Sequence, residues 1–254
     1  MPQQRTTLAA GARLRVEQVV SHSLPARWSI PYQAASRRVL FPGTGATELR
    51  SAAGELLADP LTAFALPADE PYQLRPWAGP RASVVVSEVL REQTPLLPDA
   101  AAWLLPPSAL FRLRCHWRAL RQGGESVEGT SRLLFHLLHT ALPARPRVPP
   151  VVRRARQVLI EQTGMRLSLG DLADAACTTP YHLARTFRRH TGMSVHQYRH
   201  SLRLVAALER LDQGERDLAG LGYDLGYSSQ SHFGAVFRRT IGVTPAQARS
   251  RLAA

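Results

Sequence analysis

The 254-residue chain contains no lysine: all 32 of its basic residues are arginine. That usage fits a GC-rich coding sequence, so it carries no weight as a sign of phosphate binding. Cysteine is scarce as well. Cys115 and Cys177 stand in different segments, which argues against a disulfide framework or a zinc site. No apolar run reaches the ~18 residues that a membrane span needs. The opening stretch MPQQRTTLAAGARLRVEQ lacks the apolar core of a signal peptide. A cytoplasmic location without a membrane partner is therefore expected. Catalytic vocabulary is missing too. No nucleophile–base–acid spacing, phosphate loop or metal cluster stands out, so neither an enzyme nor a cofactor is expected.

Acidic residues are the last scarcity. Only 19 Asp and Glu face the 32 arginines, which leaves a net charge of +13. Such an excess favours an anionic partner such as nucleic acid; its bland alternative is solubility alone. The imbalance is greater toward the C-terminus. Residues 147–254 hold 16 Arg against 8 acids, and residues 1–146 hold 16 against 11. Between the halves runs ALPARPRVPP (141–150). Its four prolines cannot continue a helix and favour extended geometry. This reads as a linker over 143–150, between domains at 1–142 and 151–252.

The C-terminal half is helical by pattern. VVRRARQVLIEQ (151–162) carries apolar residues at helical spacing, and Gly164 stops it. A short helix follows from Leu169. Thr179 then supplies an N-cap hydroxyl, Pro180 suits the first helical position, and Gly192 ends the next helix. Two short helices joined by a tight turn form a helix-turn-helix, here about 169–191. On the second helix Leu183 and Phe187 share the face that should pack inward. Tyr181, Ala184, Arg185 and Arg188 lie opposite.

The pattern then repeats. A long amphipathic helix over 194–214 leads into a second motif at about 218–241. There Gly226 turns the chain, Ser228 or Ser229 caps the next helix, and Phe233, Val236 and Phe237 form its inner face. Phe187, Arg188, Arg189, Gly192, Ser194, Gln197 and Arg199 recur 50 residues on at Phe237, Arg238, Arg239, Gly242, Thr244, Gln247 and Arg249. Before the turn the offset is 49, with Cys177 matching Gly226, so the second turn holds one extra residue. A connecting helix of roughly 18 residues spans about 27 Å. With its flanks it can set two recognition helices about 34 Å apart, one turn of DNA.

LGYSSQSHFGAVFRRTIGVTPAQAR and LADAACTTPYHLARTFRRHTGMSVHQYR resemble the paired motifs of the AraC/XylS family of bacterial transcription regulators. The likeness runs from about Val151 to Leu252. It implies a seven-helix domain that binds double-stranded promoter DNA, often beside RNA polymerase, with activation expected ahead of repression. Carried over position by position, base reading falls on Tyr181, Ala184 and Arg185 in the first motif. In the second it falls on Gln230, Ser231, Gly234 and Ala235. Ala235 stands where the family commonly has arginine. Phosphate contacts are expected from Thr179, His182, Arg188, Arg189, Ser228, Ser229, His232, Arg238 and Arg239. Leu183, Phe187, Gly192, Gly226, Phe233, Phe237 and Gly242 are expected to be structural.

The N-terminal half reads as short strands at 13–22, 37–41, 47–51, 61–68, 72–76 and 82–90, separated by turn signals. GELLADPLTAFALPADEPYQLRP resembles the cupin-like sensor domain that often precedes such a DNA-binding module. Only His22 lies among these strands, which is too few ligands for a catalytic cupin. Helices are expected at 110–123 and 130–142. The second, with Leu133, Leu134, Leu137, Leu138 and Leu142, is a candidate dimerisation segment; its His136 and His139 sit at helical spacing without an evident third ligand. The whole chain is thus expected to be an α+β two-domain protein: a cupin-like β-barrel with a helical dimerisation segment, then an all-α tandem helix-turn-helix. It should act as a homodimeric regulator with a small-molecule effector, for which Tyr32, Arg38, Tyr72 and Trp77 are pocket candidates. The competing reading is a metal-dependent cupin-type enzyme fused to a DNA module.

Overall fold

The computed structural model describes residues 4–21, 26–77, 81–89, 95–98 and 101–253. His22 and Leu90, at the ends of two expected strands, lie outside the described residues. The chain divides into two compact units. One comprises residues 1–105 and 116–148; the other comprises 106–115 and 149–254.

The first unit holds two antiparallel sheets. The larger orders its strands β1(Gln4–Ala10), β2(Leu14–Ser21), β9(Arg81–Glu88), β4(Arg38–Pro42), β7(Thr62–Leu66), β10(Ala102–Leu104) and β11(Leu142–Pro143). The smaller orders β3(Tyr32–Gln33), β8(Pro71–Pro76), β5(Thr47–Ser51) and β6(Gly54–Ala58). Among the described residues the ladders do not close on themselves, so the hydrogen-bonded unit is a pair of open sheets rather than a closed barrel. Register follows the apolar pattern. Val16 pairs with Val86 and Val86 with Val39, and all three are fully buried. A tight turn joins β6 to β7. There the buried Asp59 carboxylate accepts from Leu61 N at 3.0 Å and from the Thr62 hydroxyl at 2.9 Å.

Three sequence expectations change here. The helix expected at 130–142 is α2(Val127–His139); Thr140 caps it, and Leu142 instead lies in β11, 43% exposed. The proline-rich stretch is not a free connector. Ala144 N donates to Ala102 O at 2.8 Å, Arg147 N donates to Glu55 O at 2.6 Å, and Val148 is buried. The helix expected at 110–123 is α1(Pro107–Arg121), and its opening residues belong with the C-terminal helices. Phe111 is buried in their core, and Arg114 pairs with Glu209 at 2.6 Å and Asp212 at 3.3 Å.

The rest of the second unit is seven helices: α3(Pro150–Glu161), α4(Leu169–Ala175), α5(Pro180–Thr191), α6(Val195–Asp212), α7(Leu218–Asp224), α8(Gln230–Ile241) and α9(Pro245–Ala253). Phe187 and Tyr198 meet edge to face at 5.2 Å, and Arg156 lies over the Tyr198 ring at 5.4 Å. Phe233, Phe237, Leu208 and Leu221 form the second core cluster. Burying one such side chain contributes about 1.5–3 kcal/mol, so each short helix is held by its packing face.

Candidate nucleic-acid interface

Helices α5 and α8 are built by the same local rules. Thr179 Oγ1 accepts from His182 N at 3.3 Å, and Ser229 Oγ accepts from His232 N at 3.1 Å. Ser229 is therefore the N-cap of α8, while the Ser228 hydroxyl sits 2.9 Å from His232 Nδ1. At the far ends Gly192 and Gly242 adopt left-handed φ of 74° and 93°, and their N–H groups donate to Arg188 O and Arg238 O. Between the caps Leu183, Thr186 and Phe187 are buried, as are Phe233, Val236 and Phe237. The alternation of buried and exposed positions over 181–190 recurs position for position over 231–240.

The recurrence beyond the two glycines is also structural. Ser194 and Gln197 form a reciprocal capping box at the start of α6. Thr244 and Gln247 form the same box at the start of α9. The Arg199 guanidinium donates to Leu167 O, and Arg249 Nη1 donates to Arg216 O at 3.2 Å. Each arginine thus ties the chain just before its own motif. The turns match equally well. Thr178 N donates to Ala173 O, and Tyr227 N donates to Gly222 O, both at 3.0 Å. Thr178 aligns with Tyr227 and Thr179 with Ser229, so the extra residue of the second turn is Ser228.

The opposite faces carry charge. Tyr181, His182, Arg185, Arg188 and Arg189 are exposed on α5, with Tyr181 at 75%. Ala184 is half-buried and lines a groove beside Leu169, Leu172 and Val195. On α8 Gln230, Ser231, His232, Ala235, Arg238 and Arg239 are exposed. A Cβ added at Gly234 would meet nothing within 4 Å, so packing does not require glycine there. Among the described residues no carboxylate pairs with Arg185, Arg188, Arg189, Arg238 or Arg239. Other arginines of the unit are neutralised: Arg210 reaches both Glu215 and Asp224 at 2.6 Å. Exposed guanidinium groups without acid partners suit anions such as phosphates.

Histidines stand near these faces. His196 and His200 stack with parallel rings 6.5 Å apart, and His200 Nδ1 lies 3.5 Å from the Tyr227 hydroxyl. Burial holds the His200 pKa below its ordinary value, and nearby His196, Arg203, Arg239 and His232 push the same way. Burial pushes the Tyr227 phenol up to about 12, against the pull of Arg203. Sequence reading gave neither residue a role, because the contact between His200 and Tyr227 joins α6 to the turn before α8.

In the first unit Tyr32 and Tyr72 come together, their ring centroids 5.8 Å apart, and both line a cavity with Arg38. Trp77 does not line that cavity. Alternation along β8 sends Tyr72 and Leu74 inward, and Trp77 lies just past the end of that strand. Arg5 and Arg81 join the same cavity and were not foreseen, since they lie on strands far apart in sequence. His136 and His139 are exposed, and the His139 ring stacks on Phe135 at 4.8 Å. Among the described residues no three His, Cys, Asp or Glu side chains gather as a metal site. No described helix is long and apolar enough to cross a membrane.

Comparison with known proteins places these motifs. Residues 172–251 match the family model described as a helix-turn-helix domain. The regulatory protein PocR of Salmonella typhimurium is 31% identical over 86 residues, 34% of this chain and 28% of that one. A putative AraC-like transcription regulator of Streptomyces lividans is 28% identical over 126 residues, 46% of this chain and 41% of that one. The transcriptional regulator NimR of Escherichia coli is 28% identical over 142 residues, 53% of this chain and 52% of that one. The chain thus spans from 28% to 52% of the length of these relatives. Residues 172–251 thus carry a helix-turn-helix domain of that family, and over this region the chain is similar to AraC-like regulators.

Proposed function

We propose that this protein is a sequence-specific regulator that binds double-stranded promoter DNA through α5 and α8, in the cytoplasm. The observation that carries the reading is the duplicated helix whose outer face holds arginines without acid partners among the described residues. Arg185 reads bases, since its fork matches O6 and N7 of guanine. Tyr181, Ala184, Gln230, Ser231, Gly234 and Ala235 occupy the remaining base-facing positions. Thr179, His182, Arg188 and Arg189 hold phosphates, as do Ser228, Ser229, His232, Arg238 and Arg239 in the second motif. Thr179 and Ser229 also spend their hydroxyls on capping, which leaves their remaining lone pairs and O–H for that contact.

The first unit serves as a cupin-like sensor that binds a small effector between its sheets and dimerises the chain through α2. The 68% exposed Phe135 of that helix supports the second part; Leu134, Leu137 and Leu138 are already buried within the protomer. Contact with RNA polymerase and activation of transcription extend this reading; the similar E. coli NimR and the other relatives are named as regulators, which supports a regulatory role. Footprinting on the DNA upstream of the gene, at low and at physiological salt, tests the reading. A protected site spanning two successive major grooves, with affinity that falls steeply as salt rises, is the expected result. Equal affinity for all duplexes, or a flat salt response, contradicts it.

A further inference from the structure

The cavity between the two sheets has a volume of about 120 Å³. Strand alternation builds it: Arg38 and Leu40 from β4, Arg81 and Val85 from β9, and Tyr72 and Leu74 from β8 face the same space. Among the described residues its lining includes Arg5, Arg38 and Arg81 and no acidic residue. Arg5 reaches Glu17 at 3.5 Å, with its side chain about half exposed. Arg38 and Arg81 have no carboxylate partner among the described residues. Each also has a buried Nε without a hydrogen-bond partner. Arg81 does donate from Nη1 to Ala46 O at 3.0 Å and to the Thr47 hydroxyl, which fixes its direction. Burial drives the Arg81 pKa down to about 10, so the group is still charged at neutral pH. Two guanidinium groups that lack an acid partner among the described residues, lining the same cavity as the apolar Leu40, Phe64 and Leu74, have the complement of an amphiphilic anion.

Resting on the reading of this cavity as the effector site, we infer that its ligand class is a small organic carboxylate. Arg38 and Arg81 hold the carboxylate, and the apolar wall holds a short hydrocarbon body. The size limit follows from volume, since a cavity of about 150 Å³ accommodates benzene.

Titration calorimetry on the full chain tests this with butanoate, butanamide and inorganic phosphate as probes. Butanoate should bind once per chain, while butanamide and phosphate should not. Arg38→Met, and separately Arg38→Gln, should weaken butanoate at least tenfold while the thermal unfolding profile stays cooperative. Equal binding of butanoate and butanamide overturns the inference, as does unchanged affinity in both variants or no butanoate binding at all. Tight binding of phosphate alone also overturns it, since an inorganic anion needs no apolar wall. Operator affinity measured in parallel separates the two claims. If butanoate binds through Arg38 but leaves DNA affinity unchanged, the ligand class stands and the effector role falls.

Discussion

Cys177 and Gly226 hold the same place in the two helix-turn-helix turns, and both have left-handed backbone, at φ of 52° and 77°. The flanking hydrogen bonds are the same in both turns. Cys177 N donates to Asp174 O at 2.9 Å, and Gly226 N donates to Tyr223 O at 2.8 Å. A residue with a side chain is strained in this conformation, and glycine is not. Surroundings then separate the two positions. A Cβ at Gly226 would lie 2.6 Å from both Arg203 Nη2 and Gly164 O, whereas Cys177 is exposed. Arg203 cannot withdraw freely, because it donates to Thr163 O and Met165 O, both at 2.9 Å.

Opposite outcomes follow for exchange of the two residues. Cys177→Gly should stabilise the second unit by up to about 1 kcal/mol, since relieved strain exceeds the added chain entropy. Gly226→Ala should destabilise it by about 2 kcal/mol or more, through strain plus the clash. Denaturant melts of the two variants check this. A Cys177→Gly protein no more stable than the parent contradicts the strain argument.

Acid should weaken the second unit through His200. Its pKa is lowered in the fold, by burial first and then by His196, Arg203, Arg239 and His232. The unfolded chain therefore binds a proton at higher pH than the folded one. Stability is fully present above about pH 6.5, the unfolded value, and falls as pH drops toward the lowered folded value. His200→Gln should flatten the melting temperature between pH 7 and pH 5 relative to the parent. A parent whose stability rises on acidification over that window would show the opposite linkage.

The second motif was legible in the sequence because one repeat tests another. The 50-residue offset located both terminal glycines and both inner faces, and it narrowed the second cap to Ser228 or Ser229, of which Ser229 is the cap. It also flagged Arg199 and Arg249 without their role, since each acts on a carbonyl more than 30 residues away. Strands with a clear alternation, such as β2, were legible too. Those at Gln4–Ala10 and Gly54–Ala58 were not, because polar or small residues interrupt the alternation. Leu142 misled the reading for a related reason: an apolar residue at helical spacing continues a helix pattern past its real cap. The cavity arginines come from β1, β4 and β9, and no local pattern joins strands so far apart.

Gly234 separates two uses of an exposed helix position. Open space surrounds its missing Cβ. Gly234→Ala should therefore raise the stability of the second unit by about 1 kcal/mol, as for an exposed mid-helix glycine. Operator binding decides what the glycine is for. Affinity unchanged in Gly234→Ala means that the position does not approach the DNA. A loss of tenfold or more means that the α8 backbone lies against the duplex at that point, where a methyl group cannot fit. Melting curves and gel shifts on the one variant give both readings.

The two recognition helices should contribute unequally to specificity. On α5 the exposed Arg185 and Tyr181 can reach base edges. On α8 the matching face offers Gly234 and Ala235, which have little to reach with. Arg185→Ala should cost about 1–3 kcal/mol of operator binding and relax the preference at one base pair. Arg238→Ala should weaken binding to all sequences alike and reduce the salt slope, since a phosphate contact carries no direct base information. Ala235→Arg should add a preference in the second half of the site, because a fork then faces the groove where only a methyl stood. Each variant is measured against a panel of single-base-pair operator changes. A preference profile that survives Arg185→Ala but shifts with Arg238→Ala reverses the assigned roles, because the residue that reads sequence is the one whose loss reshapes the profile.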